Sequence, residues 1–262
     1  MELFFREYGS GHPLIILHGL YGSSDNWHSL AKKLSGKYHV YVPDLRNHGK
    51  SPHSDTHDYD SMSEDIWELI DNLSIETPIM IGHSMGGKVA MNFCYNYTGL
   101  ISKLVVVDIS PVDYNNDLKF MPNLLIHQGI TNALLSVNFQ QAKSIKDVDN
   151  QLENKIPEIR LRQFLLKNLN FKSQPFSWKL NITAIRQNLE NITAGLQLNQ
   201  KPKELPETLF IRGGLSTYIR KDSLDKIRLY FPDAQIRTIE NAGHWLHAEQ
   251  PEALLNLLKN WL

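Results

Sequence analysis

A serine between two glycines is the residue of this chain whose setting best suits a nucleophile. Ser84 lies in Gly82-His83-Ser84-Met85-Gly86, between the apolar run Ile79-Met80-Ile81 and a helix-like pattern. A tight strand-to-helix turn lifts a serine hydroxyl above a sheet, and its flanks must be small because the backbone comes close to itself. Gly82 and Gly86 meet that need, so we predict a nucleophile elbow at Ser84.

The same segment has part of the pattern of a phosphate-binding loop. Gly82 to Lys88 reads Gly-x-x-x-x-Gly-Lys. Such a loop needs Ser or Thr at the next position to hold magnesium, and Val89 has no ligand atom. The pattern therefore favours the serine nucleophile over a nucleotide site.

A serine hydroxyl needs a general base, which is expected late in a chain ordered serine, acid, histidine. His244 follows the strand-like run Ile236 to Ile239 on a loop, where parallel sheets build their sites. His247 lies three residues further on, within an expected helix start. We predict His244 as the base and His247 as a packing residue.

The acid has three candidates. The usual place follows the run Thr208 to Ile211, but that loop contains Ser216 and no carboxylate before Asp222. Asp108 ends the preceding run, Leu104 to Val107, and an aspartate there could reach a histidine on the neighbouring loop. We predict Asp108 as the acid, with Asp113 and Asp222 as alternatives.

Two further parts of a hydrolytic site can be assigned. The segment His18-Gly19-Leu20-Tyr21-Gly22 follows the first core strand, and we expect the backbone N–H groups of Leu20 and Met85 to form an oxyanion hole. Aromatic residues are expected to line an apolar substrate pocket or, within residues 111–206, to form a separate small core. The pocket candidates are Tyr21, Trp245, Phe139 and Phe164, and Phe171, Phe176 and Trp178 share the same two interpretations.

Short β-branched runs alternate with amphipathic helical patterns, which predicts an α/β fold with a mostly parallel sheet. The alternation stops between about Pro111 and Pro206, where strand-like runs are replaced by helical patterns. We therefore predict a core of residues 1–110 and 207–262, with a helical insertion at 111–206.

Composition excludes several other classes of protein. The formal net charge of -1 provides no field for nucleic acid, and no apolar run approaches a membrane span. A single cysteine, Cys94, and an N-terminus unlike a signal peptide predict a soluble cytoplasmic protein. His53, Asp55, His57 and Asp58 alternate with Ser, Thr and Pro as in a solvated loop, so we expect no metal site.

Together these motifs resemble the α/β-hydrolase superfamily, and in particular YbfF-type esterases and the related ABHD-type hydrolases. The resemblance extends over the motifs at residues 18–27, 44–51, 82–88, 108–114 and 243–249. It implies about eight strands, an acid after the sixth strand (here Asp108) and a helical cap inserted at the same point. It also implies hydrolysis of acyl esters or thioesters without a cofactor.

We therefore expect a serine hydrolase that cleaves small-molecule esters or thioesters of short to medium acyl chains. A cofactor-free haloperoxidase or an acyltransferase would use the same triad. A ligand-binding protein without turnover would use the same scaffold. The physiological substrate and the oligomeric state stay open.

Overall fold

The computed structural model describes residues 1–115, 121–173, 175–198, 202 and 204–262. Nine strands lie in this part of the chain. They are β1 (Phe5–Tyr8), β2 (His12–Leu17), β3 (Tyr38–Pro43), β4 (Ile79–His83), β5 (Lys103–Val107), β6 (Leu169–Asn170), β7 (Ser177–Trp178), β8 (Glu207–Gly213) and β9 (Gln235–Ile239).

The predicted mostly parallel sheet is confirmed. Its strands, among the described residues, follow the order β1-β3-β2-β4-β5-β8-β9, and β1 alone pairs antiparallel. The described residues contribute seven strands to this sheet, against the expected eight or so, and the long insertion follows the fifth strand of the chain instead of the sixth. The strand β1, with the sequence Phe-Arg-Glu-Tyr, lacks the apolar run that identified the other six.

Side-chain alternation explains how the sheet holds a helix layer on each face. In β5, Leu104 and Val106 point to one core cluster, whereas Val105 and Val107 point to the other. Successive side chains of a strand project to opposite faces, so a continuous apolar run is buried on both sides. This pattern explains why helices pack on both faces of the sheet.

The helices of the core pack on both faces of the sheet. The helices of the core are α1 (His28–Leu34), α2 (Tyr59–Asn72), α3 (Met85–Asn96), α9 (Ser223–Tyr230), α10 (Leu246–Glu249) and α11 (Pro251–Trp261). Apolar residues of α2, α3 and α9 pack on one face of the sheet, and those of α1 and α11 pack on the other. Among the described residues, no helix has both the length and the apolar character to cross a membrane.

The insertion between β5 and β8 has its own helices and its own apolar core. Its helices are α4 (Met121–Leu135), α5 (Ile145–Glu153), α6 (Ile159–Leu166), α7 (Ile182–Gln187) and α8 (Leu189–Thr193), and β6 pairs with β7. Its buried residues include Leu134, Leu152, Leu165 and Ile185. Residues 111–206 are the extent predicted for this insertion.

The two segments that connect the insertion to the sheet lie side by side. Leu196 N–H donates to the Pro111 carbonyl at 3.0 Å, and Tyr114 N–H donates to the Thr193 carbonyl at 2.9 Å. From the core, the buried Lys88 ammonium donates to the carbonyls of Val112, at 3.2 Å, and Ala194. These contacts form a hydrogen-bonded neck between core and insertion.

Candidate active site

The strand order creates a crevice at the carboxyl edge of the sheet. The strands β3 and β4 lie on opposite sides of β2, so the loops after β2 and β4 diverge there. Ligands of open α/β sheets bind at such a switch point, outside the carboxyl ends of the strands. The residues predicted for catalysis follow β2, β4, β5 and β9 at this edge.

The backbone at Ser84 has the strained geometry expected of a nucleophile elbow. Its φ of 52° and ψ of -120° are rare for a residue with a side chain. A Cβ on Gly82 would lie 2.2 Å from the Gly86 carbonyl oxygen, and one on Gly86 would lie 2.5 Å from the Leu17 carbonyl oxygen. Both flanking positions therefore require glycine.

The side chains of Ser84, His244 and Asp108 form one continuous hydrogen-bonded chain. His244 Nε2 lies 3.0 Å from Ser84 Oγ, and His244 Nδ1 lies 2.8 Å from Asp108 Oδ2. An ionised carboxylate only accepts hydrogen bonds, so Nδ1 carries the proton and Nε2 is left to accept from the serine. The arrangement can remove the proton of a serine hydroxyl.

Asp108 is completely buried and held by three donors. Besides His244 Nδ1, it accepts from Gly213 N–H at 2.9 Å through Oδ1 and from the Ser216 hydroxyl through Oδ2. Ser216 stands in the loop where the sequence lacks the usual carboxylate, and it donates to the carboxylate of the neighbouring strand instead. The sequence identified Ser216 as part of the loop that lacks the usual carboxylate, but it did not predict a role for the Ser216 hydroxyl.

The residues considered as alternatives for the acid and the base make other contacts. Asp113 accepts from Asn115 N–H at 2.7 Å, and Asp222 lies 3.7 Å from the guanidinium of Arg220 just before α9. The ring of His247 stacks on Trp27 with centroids 4.8 Å apart. The structure thus places Asp108 at the His244 ring, whereas the ring of His247 packs against Trp27.

Two aromatic neighbours fix the plane and the backbone of His244. The Tyr218 ring stacks on the imidazole with centroids 3.8 Å apart. His83 Nε2 donates to the His244 carbonyl at 2.8 Å, and burial holds the pKa of His83 well below its usual range, so this ring stays neutral. Sequence reasoning found neither contact, because Tyr218 lies on a loop without any motif and the motif that contains His83 does not indicate the partner of its ring.

The loop after β2 passes directly beside the nucleophile. A Cβ on Gly19 would lie 3.2 Å from Ser84 Cβ. Tyr21, at a φ of 61°, donates its backbone N–H to His48 Nε2 at 3.2 Å, which holds the loop in place. Among the hydrogen bonds of the described residues, none has the backbone N–H of Leu20 or of Met85 as its donor.

A cavity of about 250 Å³ opens over Ser84 between the core and the insertion. It is lined by Leu20, Tyr21, Trp27, His83, Ser84, Ile126, His127, Ile130, Leu161, Phe164, Tyr218, His244, Trp245 and His247, together with His18, Gly19, Gly22 and Asn26. Three of the four pocket candidates, Tyr21, Phe164 and Trp245, are among them.

Phe139 takes the second of the two places predicted for it, the core of the insertion, and it does not line the cavity. This ring packs edge-on against Trp178 with centroids 5.5 Å apart, in the apolar core of the insertion. Phe176 also packs against that core, and Phe171 is 55% exposed. The partner of each aromatic ring is set by how the helices of the insertion pack, which the local sequence does not encode.

The segment proposed as a solvated loop contains a buried histidine. His57 is completely buried, and Asp58 accepts from Ser61 N–H at 2.8 Å at the start of α2. The described part of the chain contains no group of three or more His, Cys, Asp or Glu side chains that could hold a metal ion.

Fold and site define the class to which this chain belongs. The α/β hydrolase fold family matches residues 12–251, and the chain is a member of that family. It is 38% identical over 256 residues to the sn-1-specific diacylglycerol lipase ABHD11 of Mus musculus, covering 95% of this chain and 80% of the relative.

Two further relatives are esterases. The chain is 32% identical over 250 residues to the esterase YbfF of Escherichia coli (strain K12), covering 95% of this chain and 92% of the relative. The solved structure of a marine microorganism esterase superimposes with a TM-score of 0.95 at 45% identity, covering 100% of this chain and 99% of the other. These relatives confirm the resemblance to YbfF-type and ABHD-type hydrolases, and they support the prediction of a carboxylic ester hydrolase.

Proposed function

We propose that this protein hydrolyses carboxylic esters through an acyl-enzyme formed on Ser84. The observation that carries the proposal is the unbroken chain of hydrogen bonds from Asp108 through His244 to Ser84, with contacts of 2.8 and 3.0 Å. A serine, a histidine and a buried carboxylate in this order generate a nucleophile at neutral pH.

The reaction begins when Ser84 Oγ attacks the ester carbonyl and its proton passes to His244 Nε2. Asp108 orients the imidazole and stabilises the imidazolium. The oxyanion accepts hydrogen bonds from the N–H groups of Leu20 and Met85, and Met85 is also the first residue of α3, where the helix dipole favours negative charge. The alcohol leaves with the proton from His244.

Water completes the cycle. His244 takes a proton from a water molecule, which attacks the acyl carbon. The second tetrahedral intermediate then collapses as His244 gives that proton to Ser84 Oγ, which releases the acid and restores the free serine. Every proton moves between protein side chains, substrate and water.

Small-molecule esters or thioesters of short to medium acyl chain are the proposed substrates. The cavity volume of about 250 Å³ suits such chains, and its wall includes Ile130, Leu161 and Phe164. The lipase and esterase relatives act on the same bond type, as their names state.

The test is hydrolysis of p-nitrophenyl esters of graded chain length by the wild type and by Ser84→Ala. We expect the variant to lose activity by about 10⁴-fold or more. Ser102→Ala is the matched control, because Ser102 is exposed beside the opposite end of β5. Hydrolysis by Ser84→Ala at the wild-type rate would refute the proposal.

A further inference from the structure

A second and much smaller cavity adjoins the first one at Ser84. Its volume is about 30 Å³, against about 250 Å³ for the cavity described above. The rest of its wall comes from α2, α3, the segment after β5 and α8. An ester bound at Ser84 therefore has two spaces of unequal size for its two halves. Four of the described residues belong to both walls, namely Leu20, Ser84, His127 and Tyr218.

The position of the general base distinguishes the two spaces. Among the described residues, His244 lines the larger cavity and not the smaller one, whereas Met85 lines the smaller cavity and not the larger one. The leaving alcohol takes its proton from His244 Nε2, so its oxygen must come within hydrogen-bond reach of that atom. This requirement directs the alcohol into the larger cavity and leaves the smaller one for the acyl group.

Hydrogen bonds within the protein fix the wall of the smaller cavity. The Tyr59 hydroxyl donates to the Ile192 carbonyl, which ties α2 of the core to α8 of the insertion. The Tyr114 hydroxyl donates to the Tyr218 carbonyl at 2.9 Å, and the Lys88 ammonium is held by the two carbonyls of the neck. All five residues line the smaller cavity, so it cannot widen freely without breaking bonds between core and insertion.

The volumes of the two cavities limit what each can hold. An apolar cavity of about 150 Å³ takes up one benzene molecule, which corresponds to about 25 Å³ for each carbon atom. On this scale the smaller cavity, of about 30 Å³, has room for about one carbon atom beyond the carbonyl, and the larger one has room for about ten. A fixed wall of this size accepts the methyl group of an acetyl ester and rejects a long acyl chain.

We propose that the smaller cavity takes the acyl group of the substrate, limited to acetyl or propionyl, and that the larger cavity takes the alcohol. The preferred substrates are then esters of short acids with larger, apolar alcohols. The proposal rests on the proposed ester hydrolysis at Ser84. It restricts the proposed acyl range to its short end and gives the larger cavity to the alcohol instead of the acyl chain.

Two isomeric esters test this assignment, because they exchange the lengths of acid and alcohol. Hexyl acetate has a short acyl group and a long alcohol, and ethyl hexanoate has the reverse arrangement with the same molecular formula. Titration of the released acid at constant pH gives kcat/KM for each ester. The ratio of the two values is divided by the ratio of the hydroxide-catalysed rates, which removes intrinsic reactivity.

We expect the corrected ratio to favour hexyl acetate by about 100-fold, since an apolar pocket discriminates by about 10- to 200-fold for a single methylene group. Ile192→Ala widens the smaller cavity and should raise kcat/KM for ethyl hexanoate by about 10-fold. Ile109→Val removes one carbon atom from the same wall with less disturbance of the core and should raise it in the same direction. Leu161→Ala is the matched control, because it widens the larger cavity and should not raise this value.

The outcomes separate the two proposals. Ser84-dependent hydrolysis of both esters with a corrected ratio near one, or in favour of ethyl hexanoate, would overturn the assignment and leave ester hydrolysis intact. Faster hydrolysis of ethyl hexanoate by Leu161→Ala, but by neither variant of the smaller cavity, would also overturn it, because the acyl chain would lie in the larger cavity. Absence of Ser84-dependent hydrolysis of both esters would overturn both proposals.

Discussion

Two regions of the crevice differ in whether their polar groups have hydrogen-bond partners. One is the carboxyl edge of the sheet with Ser84, His244 and Asp108, here called the catalytic edge, and the other is the wall of the cavity above it. Asp108 has three donors, and both ring nitrogens of His244 have partners within the protein. In the wall, Tyr21 and Trp27 have buried polar atoms for which the described residues offer none. The polar groups of the first region are paired within the protein, whereas some of those in the second are not.

The two regions also differ in what positions them. Ser84 and Asp108 follow adjacent strands, whose register pairs His83 with Val107 immediately before them. His127 and Phe164, in contrast, reach the cavity on helices of the insertion. The sheet thus determines the chemistry, and packing of the insertion determines the shape of the space above it.

The largest effect should come from breaking the complete region at its acid. We expect Asp108→Asn to lower kcat by about 10⁴-fold, because an amide no longer holds His244 in the tautomer that accepts from Ser84. Steady-state kinetics on p-nitrophenyl esters measures the loss. Asp222→Asn, at a 44% exposed aspartate, should retain nearly full activity, and equal losses in the two variants would contradict the assignment.

The next effect concerns the loop that borders both regions. An added methyl in Gly19→Ala would lie 2.8 Å from His83 Nδ1 and 3.2 Å from Ser84 Cβ, so the loop with the Leu20 N–H must move. We expect kcat to fall by about 10²-fold, as when one oxyanion donor is lost. A loss confined to KM would mean that this loop shapes binding alone.

A third prediction tests unpaired atoms that no substrate can satisfy. His57 is completely buried outside the cavity, neither of its ring nitrogens has a partner among the described residues, and burial, reinforced by Arg46, lowers its pKa to about 3. Its stability contribution is complete above pH 6.5, the value of the unfolded chain, and is lost as the pH falls towards 3.

We therefore expect His57→Leu to reduce the loss of unfolding free energy between pH 7.5 and pH 5 by about 2 kcal/mol, without a change in ester selectivity. Urea unfolding at both pH values measures this. His12→Gln is the control, because His12 is exposed to water in the folded protein as it is in the unfolded chain. Identical pH dependence in the wild type and His57→Leu would contradict the prediction.

The smallest effect contrasts a glycine of the insertion with Gly19. Gly129 lies within α4, and a Cβ there would meet no atom within 4 Å. We expect Gly129→Ala to stabilise this helix by about 1 kcal/mol and to leave kcat unchanged, since alanine has the higher helix propensity. Thermal unfolding measures the stability of the variant, and ester kinetics measures its kcat. Destabilisation would contradict the prediction, because it would show that the helix cannot accommodate the added methyl group at this position.

The sequence predicts the catalytic edge better than the wall for a physical reason. A strand run, a glycine-flanked turn and a helix are local patterns, so Ser84 and the parallel sheet can be predicted from neighbouring residues alone. Asp108 needed one further step, the missing carboxylate near Ser216. The charged edge strand β1 had no such local signal.

The wall depends on contacts between distant parts of the chain. Trp27 and His247 lie in different motifs and meet only through the fold. Phe139 was predicted either for the cavity or for the core of the insertion, and it packs with Trp178 in that core. No spacing rule distinguishes an aromatic ring that faces a ligand from one that faces another helix.

The neck between core and insertion has a consequence for how such enzymes diversify. Because Pro111 is hydrogen-bonded to Leu196 and Tyr114 to Thr193, the chain leaves the core and returns to it at nearly the same point. An insertion of another length or sequence could be exchanged there during evolution without shifting β5 or β8. Substrate range can therefore change as a module, while the residues proposed for catalysis at the sheet edge are inherited intact.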